Sequence, residues 1–187
     1  MQLYLIRHPA PQVAAGVCYG RTDLALAADV AAAAARILPQ LPQLPPLLPV
    51  FTSPLQRCAQ LAQALHAAPQ SDARLQEMHF GAWEMRPWER IQRAALDGWA
   101  ADPLGYAPPQ GESVGELQQR VHGFLADVRR QGLESAVLVT HAGVMKVIVG
   151  QAQGLPARRW MALSFDYESV VCVTLPGQDA AALGDRA

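Results

Sequence analysis

The sequence predicts an α/β fold built on a mostly parallel central sheet. Leu3-Tyr4-Leu5-Ile6 and Ala136-Val137-Leu138-Val139-Thr140 are unbroken apolar runs. They lack the alternation of a half-exposed strand, so they suit strands covered on both faces. Both runs end in a histidine at a turn or helix start, and segments of helical pattern separate the candidate strands. The 187 residues suit one compact domain, with no internal repeat or boundary.

The first strand closes on Arg7-His8-Pro9, and Pro9 and Pro11 cannot donate to a continuing ladder. An Arg-His pair there sits where open α/β sheets bind ligands, although alone it fits a solvated strand end better than a ligand site. A turn-rich loop, Ala10 to Leu26, carries Gly16, Gly20, Arg21 and Asp23. Ala27 to Leu38 is alanine-rich and predicts a helix that Pro39 stops. Pro39, Pro42, Pro45, Pro46 and Pro49 predict a stiff extended connector.

Val50 to Thr52 predicts a short strand. Ser53 then serves as N-cap, Pro54 as first helical residue and Gln56 as the partner of a capping box, with the helix running to about Ala67. Arg57 falls in its first turn, where a guanidinium adds a planar fork to a helix end that already favours anions. Ala73 to Glu77 predicts a strand, and Arg86 to Trp99 a helix with Trp88, Ile91, Leu96 and Trp99 inward. Ser113 and Glu116 make a capping box for a helix with the apolar stripe Leu117, Val121, Phe124, Leu125 and Val128, ending at Gly132. His122 within it is structural or exposed. His141 lies between the strand ending at Thr140 and a helix from Val144. Pro156 starts a short helix, Ser169 to Leu175 is a last strand, and the tail from about residue 177 is expected to fray.

Composition removes several classes. The net charge of −1 provides no global field for nucleic acid or an acidic membrane. Cys18, Cys58 and Cys172 are odd in number and widely spaced, which predicts buried thiols in a reducing compartment. No apolar run is long enough to span a membrane, and the N-terminus lacks a signal pattern, so a soluble cytoplasmic protein is expected. There is no phosphate loop, no nucleophile elbow and no metal-ligand spacing such as H-x-x-x-H. Arg7, His8, Arg57 and His141 would all meet at one edge of the sheet as an anion pocket.

Four motifs in order and register carry a resemblance. They are Leu-Ile-Arg7-His8-Pro9, Thr52-Ser53-Pro54-Leu55-Gln56-Arg57-Cys58, Glu77-Met78-His79-Phe80-Gly81-Ala82-Trp83-Glu84 and Thr140-His141-Ala142-Gly143. The chain resembles the histidine phosphatase, or phosphoglycerate mutase-like, superfamily to about Leu175. Gly111-Glu112-Ser113 and Arg120 fit as well. Tyr19-Gly20-Arg21-Thr22-Asp23 and the stretch after Glu77 make it most similar to the α-ribazole phosphatase branch.

The resemblance implies a three-layer α/β/α sandwich in a single domain, residues 1–187, without cofactor or metal. It implies that His8 becomes phosphohistidine and that Arg7, Arg57 and His141 hold phosphoryl oxygens. Glu77 would protonate the leaving alcohol, and Ala142 and Arg21 would contact substrate. An imidazole of pKa about 6.5 is largely neutral near pH 7, and two arginines would lower it further. The expected partner is a small phosphorylated metabolite, α-ribazole 5′-phosphate first, another sugar phosphate or nucleotide next. A catalytically silent phosphate-binding module is the reading from another class. Pro9 replaces the usual Gly, Ala10 and Pro11 replace acidic and hydroxyl residues, and His79 stands where the branch often has Asp.

Overall fold

The computed structural model describes residues 1–41 and 48–175. Its elements in chain order are β1 (Gln2–Arg7), α1 (Val30–Ile37), β2 (Val50–Thr52), α2 (Gln56–Leu65), β3 (Gln70–Ser71), α3 (Arg93–Ala101), α4 (Val114–Arg130), β4 (Ser135–Thr140), α5 (Ala142–Ala152), α6 (Ala157–Trp160) and β5 (Val170–Thr174). The sheet order is β3-β2-β4-β1-β5. All neighbours are parallel except β5, which runs antiparallel to β1.

The pleat explains why the strands are apolar throughout. Leu3 and Leu5 of β1 and Leu138 of β4 face α4 and α5, in a core with Phe124, Leu117, Met145 and Ile148. Their alternates Ile6, Val137 and Val139 face α1 and α2, with Ile37, Cys58 and Leu61. Helices therefore cover both faces, giving the three layers expected. The chain leaves β1 across the α1–α2 face and leaves β4 across the α4–α5 face. The adjacent carboxyl ends of β1 and β4 thus form the switch point where such sheets open a crevice.

A third apolar cluster is built around Cys18, Trp83 and Ile91, in which Phe80 and Trp83 each meet Trp88 and Trp99 edge to face.

Several expected boundaries shift. Helix α1 starts at Val30 because the Asp29 carboxylate caps it, accepting from the Ala31 N–H at 2.8 Å. The predicted strand at Ala73 to Glu77 is a 3-10 turn, Ala73–Leu75, initiated by Asp72; pairing with β2 is confined to Gln70–Ser71. The predicted helix from Arg86 begins only at Arg93, after a 3-10 turn at Trp88–Arg90. Cys172 is exposed on edge strand β5, whereas Cys18 and Cys58 are buried as expected. Helix α4 has its capping box at Ser113 and Glu116. His122 is exposed on it, as expected. Pro42, Pro45 and Pro46 of the connector and the tail from 177 lie outside the described residues. Among the described residues, no helix is long and apolar enough to cross a membrane.

Candidate active site

His8 follows β1 directly and is 1% exposed. Being followed by Pro9, its backbone is confined to the extended region. Its Nδ1 lies 2.6 Å from the Pro9 carbonyl oxygen. A carbonyl only accepts, so Nδ1 carries the proton and Nε2 keeps the lone pair. That lone pair receives the Arg57 Nε–H at 3.3 Å. The tautomer is fixed without any side chain from position 9, since a backbone carbonyl suffices. Burial first, then the charge of Arg57, pulls the His8 pKa down to about 3 against the opposing Pro9 carbonyl, with Arg7 lowering it further. The ring is neutral throughout the ordinary pH range.

Arg57 is fully buried, and its fork is held by backbone: Nη1 donates to Thr22 O and Nη2 to Gly20 O, both at 2.8 Å. The Tyr19 ring stacks nearby, its centroid 5.3 Å from the guanidinium carbon. Arg7, the last residue of β1, donates to the Phe165 carbonyl and lies 3.9 Å over the Tyr167 ring. Its Nε is buried without a partner.

His141 packs edge-on against His8, with ring centroids 4.9 Å apart. It too is fully buried, and burial, followed by the field of His8, Arg57, Arg120 and Arg7, holds its pKa well below the usual imidazole value. Its Nε2 lies 2.8 Å from the Ser53 hydroxyl. Ser53 therefore has a different part from the N-cap expected of it. Helix α2 starts at Gln56 with Leu55 as N-cap, and the Gln56 N–H is satisfied by Asp23 of the loop after β1, at 2.8 Å. The Ser53 hydroxyl accepts the Leu55 N–H at 3.3 Å instead and also meets His141, which it orients.

Glu77 reaches the start of α5. Its two carboxylate oxygens accept the Gly143 N–H at 3.1 and 3.2 Å, and Oε1 also accepts from the Met78 N–H. This is an acidic group on the positive end of a helix. Its backbone is pinned by Arg120, which donates to the carbonyls of Glu77 and Arg74 and pairs with Glu112 at 2.7 Å. Burial would raise the Glu112 carboxyl, but Arg120, the His79 N–H and Arg21 outweigh it and hold it below its ordinary value. His79 takes part through that backbone N–H.

Arg21 turns to Glu112 at 3.2 Å, and no contact joins its side chain to the histidine pair among the described residues. Glu84 is bound on all sides by the N–H groups of Arg21, Thr22 and Phe80 and the Thr22 hydroxyl. It ties the loop after β1 to the loop after Glu77. Ala142 heads α5 and, with Glu77, lines a pocket of about 400 Å³ walled by Phe80, Trp88, Trp99 and Met161. Among the described residues no cluster of three or more His, Cys, Asp or Glu is arranged to hold a metal.

The structure thus brings together Arg7, His8, Arg57 and His141, with Glu77 and Ala142 on one side and Arg21 apart. A model for the histidine phosphatase superfamily, branch 1, matches residues 3–184. The chain belongs to the histidine phosphatase superfamily. This histidine phosphatase is 29% identical over 172 residues to an Escherichia coli K12 protein named adenosylcobalamin/alpha-ribazole phosphatase, covering 84% of this chain and 81% of that one. It is 26% identical to a Hydrogenobacter thermophilus protein provisionally named phosphoserine phosphatase 2, covering 95% and 91%. The crystal structure of a Thermus thermophilus protein, TTHB049, superposes with a TM-score of 0.75 at 34% identity, covering 94% and 95%. As a histidine phosphatase it is a phosphoric monoester hydrolase.

Sequence reasoning missed Ser53 as the partner of His141, and Tyr167, whose ring lies 5.7 Å from that of His8 and whose hydroxyl meets that of Tyr19 at 3.0 Å. Ser53 was detectable as a hydroxyl at the end of a buried strand. Tyr167 lies in an irregular loop with no motif to mark it.

Proposed function

We propose that the chain hydrolyses small phosphate monoesters through a phosphohistidine on His8, without a metal, and that α-ribazole 5′-phosphate is its substrate. The observation that carries the first part is the tautomer of His8, with Nδ1–H on the Pro9 carbonyl and the Nε2 lone pair bare except for the Arg57 Nε–H. A neutral buried imidazole with its lone pair aimed at a guanidinium is ready to attack an electrophile that the guanidinium attracts. Arg57 shifts its Nε–H from Nε2 to a phosphoryl oxygen as the substrate enters. The unpartnered Nε of Arg7 supplies another donor. Neutral His141, oriented by Ser53, donates one more hydrogen bond. Such preorganised donors stabilise charge that moves to the equatorial oxygens.

Nε2 attacks phosphorus in line, the P–O bond to the alcohol breaks, and protonated Glu77 delivers its proton to that oxygen. The resulting carboxylate then takes a proton from water, which attacks the phosphohistidine and regenerates His8. Glu77 is bonded to the Gly143 N–H, two residues after His141, and also lines the aromatic pocket, so the leaving alcohol extends into that pocket. Its flat walls suit the benzimidazole ring of α-ribazole, and the similarity to the Escherichia coli protein supports the same choice. Phosphoserine is the second reading, favoured by the Hydrogenobacter thermophilus relative, but its small alcohol would leave most of the pocket unfilled.

A panel of phosphorylated metabolites ranked by kcat/KM, run with and without exhaustive chelation, tests the proposal. α-Ribazole 5′-phosphate should rank first and chelation should leave its rate unchanged. A higher rank for phosphoserine or a sugar phosphate would overturn the substrate, and a loss restored by zinc or magnesium would overturn the metal-free chemistry.

A further inference from the structure

The pocket beside Glu77 is not uniformly apolar. Phe80 meets Trp88 edge to face at 5.4 Å and Trp99 at 6.0 Å, so three aromatic rings form a rigid wall. Among the described residues that line the pocket, Lys146 carries the only positive charge. It lies on α5 one turn beyond Ala142, and its Nζ donates to the Met161 carbonyl at 2.9 Å. An ammonium has three donors, and this single protein partner uses one. The indole N–H of Trp99, in the same wall, is buried with no partner at all. The pocket therefore presents the spare donors of Lys146 and a single carboxylate, Glu77, which the proposed proton transfer occupies. Its volume of about 400 Å³ falls within the usual range for small-molecule sites.

We propose that Lys146 is a specificity-determining residue that hydrogen-bonds an acceptor atom on a flat aromatic heterocycle carried by the leaving alcohol. The aromatic wall selects the flat body, and the donors select where its acceptor lies. A ring of the same shape with C–H in place of the acceptor nitrogen would bury the Lys146 ammonium without replacing its hydrogen bonds to water, which is how a polar site rejects an isostere. The structural competitor is a lysine that only ties α5 to the end of α6 through Met161. That role would act on every substrate alike. The inference rests on the assignment of the Glu77 side as the leaving-group side, and it does not require the heterocycle to be α-ribazole itself.

The test uses two 5′-monophosphates, of benzimidazole riboside and indole riboside, which share a shape and differ in one ring-nitrogen acceptor. Both are assayed with the unmodified enzyme, with Lys146→Met and with Lys146→Arg. The unmodified enzyme should favour the benzimidazole substrate by about ten- to a hundredfold in kcat/KM, as a hydrogen bond to a charged group implies. Lys146→Met should bring the ratio to within about threefold, and Lys146→Arg should keep most of the preference, since it retains charged donors. Because each ratio is taken within one preparation, a partly unfolded variant does not distort it. Absence of discrimination in the unmodified enzyme, or the same preference in Lys146→Met, would overturn the proposal. A metabolite panel topped by another heterocyclic phosphate would overturn the α-ribazole assignment alone, because the paired ratio reports on Lys146 separately.

Discussion

Gly143→Ala should separate the proton transfer from the rest of the chemistry. Gly143 is the second residue of α5, and its N–H seats both oxygens of Glu77. A Cβ there would lie 2.2 Å from Glu77 Oε1 and 3.2 Å from its carboxyl carbon, with Leu117 Cδ2 behind at 3.5 Å. The carboxylate must retreat by about 1 Å to regain ordinary contact, and a misplacement of that size can cost roughly 10²-fold in rate. The backbone is helical, so alanine itself is welcome there and gains up to about 1 kcal/mol of propensity over glycine. That gain and the lost Gly143 N–H bond to Glu77 are of similar size, so the variant should melt within about 10 °C of the parent and yet form phosphoenzyme about 100-fold more slowly from an alkyl phosphate. With nitrophenyl phosphate the deficit should largely vanish, because nitrophenolate departs without a proton. Rapid-quench measurement of phosphoenzyme formation across esters of graded leaving-group pKa gives the comparison, with Glu77→Gln as the reference for complete loss of the acid. An alkyl-phosphate rate equal to that of the parent, with the same leaving-group dependence, would refute the assignment of Glu77 and its seat on α5.

The buried histidines predict acid lability. Unfolded, His8 and His141 take up protons near pH 6.5; folded, His8 stays neutral down to about pH 3 and His141 is likewise held well below its usual value. In that window the unfolded chain binds more protons, so stability falls as pH drops. Removing His8 as His8→Asn should lessen the fall by about 1.4 kcal/mol per pH unit, read from urea melts between about pH 6 and 4. An undiminished slope would contradict the burial of a neutral ring. Glu84→Ala should instead cost roughly 3 kcal/mol of stability, since it strips the acceptor from the N–H groups of Arg21, Thr22 and Phe80. Its residual activity should show no leaving-group dependence beyond that of the parent; the opposite result would make Glu84 the acid.

Strands β1 and β4 were legible because strands covered on both faces appear as short unbroken apolar runs; both begin and end within a residue of where those runs do, whereas the two-residue β3 carries no such run. Helix α4 was legible because its capping box is local, formed between Ser113 and Glu116. The start of α2 was not, because its first N–H is satisfied across the fold by Asp23, 33 residues earlier. A local capping pattern at Ser53 and Gln56 therefore gave way to a tertiary one, and Ser53, still bonded to the Leu55 N–H, became part of the site through His141. The segment from Ala73 to Trp99 was misread for a related reason. Its conformation is set by Arg120, Glu112 and Glu84 drawing separate loops together, and such contacts leave no period in the sequence. The histidines and arginines at strand ends were readable because topology alone gathers them. The orientation of the His8 ring was not readable, since it depends on the carbonyl of Pro9, which every residue type offers.

The most direct test of the central claim is to trap the intermediate. The enzyme is mixed with a radiolabelled phosphate monoester, quenched in alkali within a fraction of a turnover, and mapped by peptide. The account predicts an acid-labile phosphate on His8, formed as fast as the alcohol is released, and absent from His8→Ala. Label on His141, or turnover at an unchanged rate in His8→Ala, would contradict it.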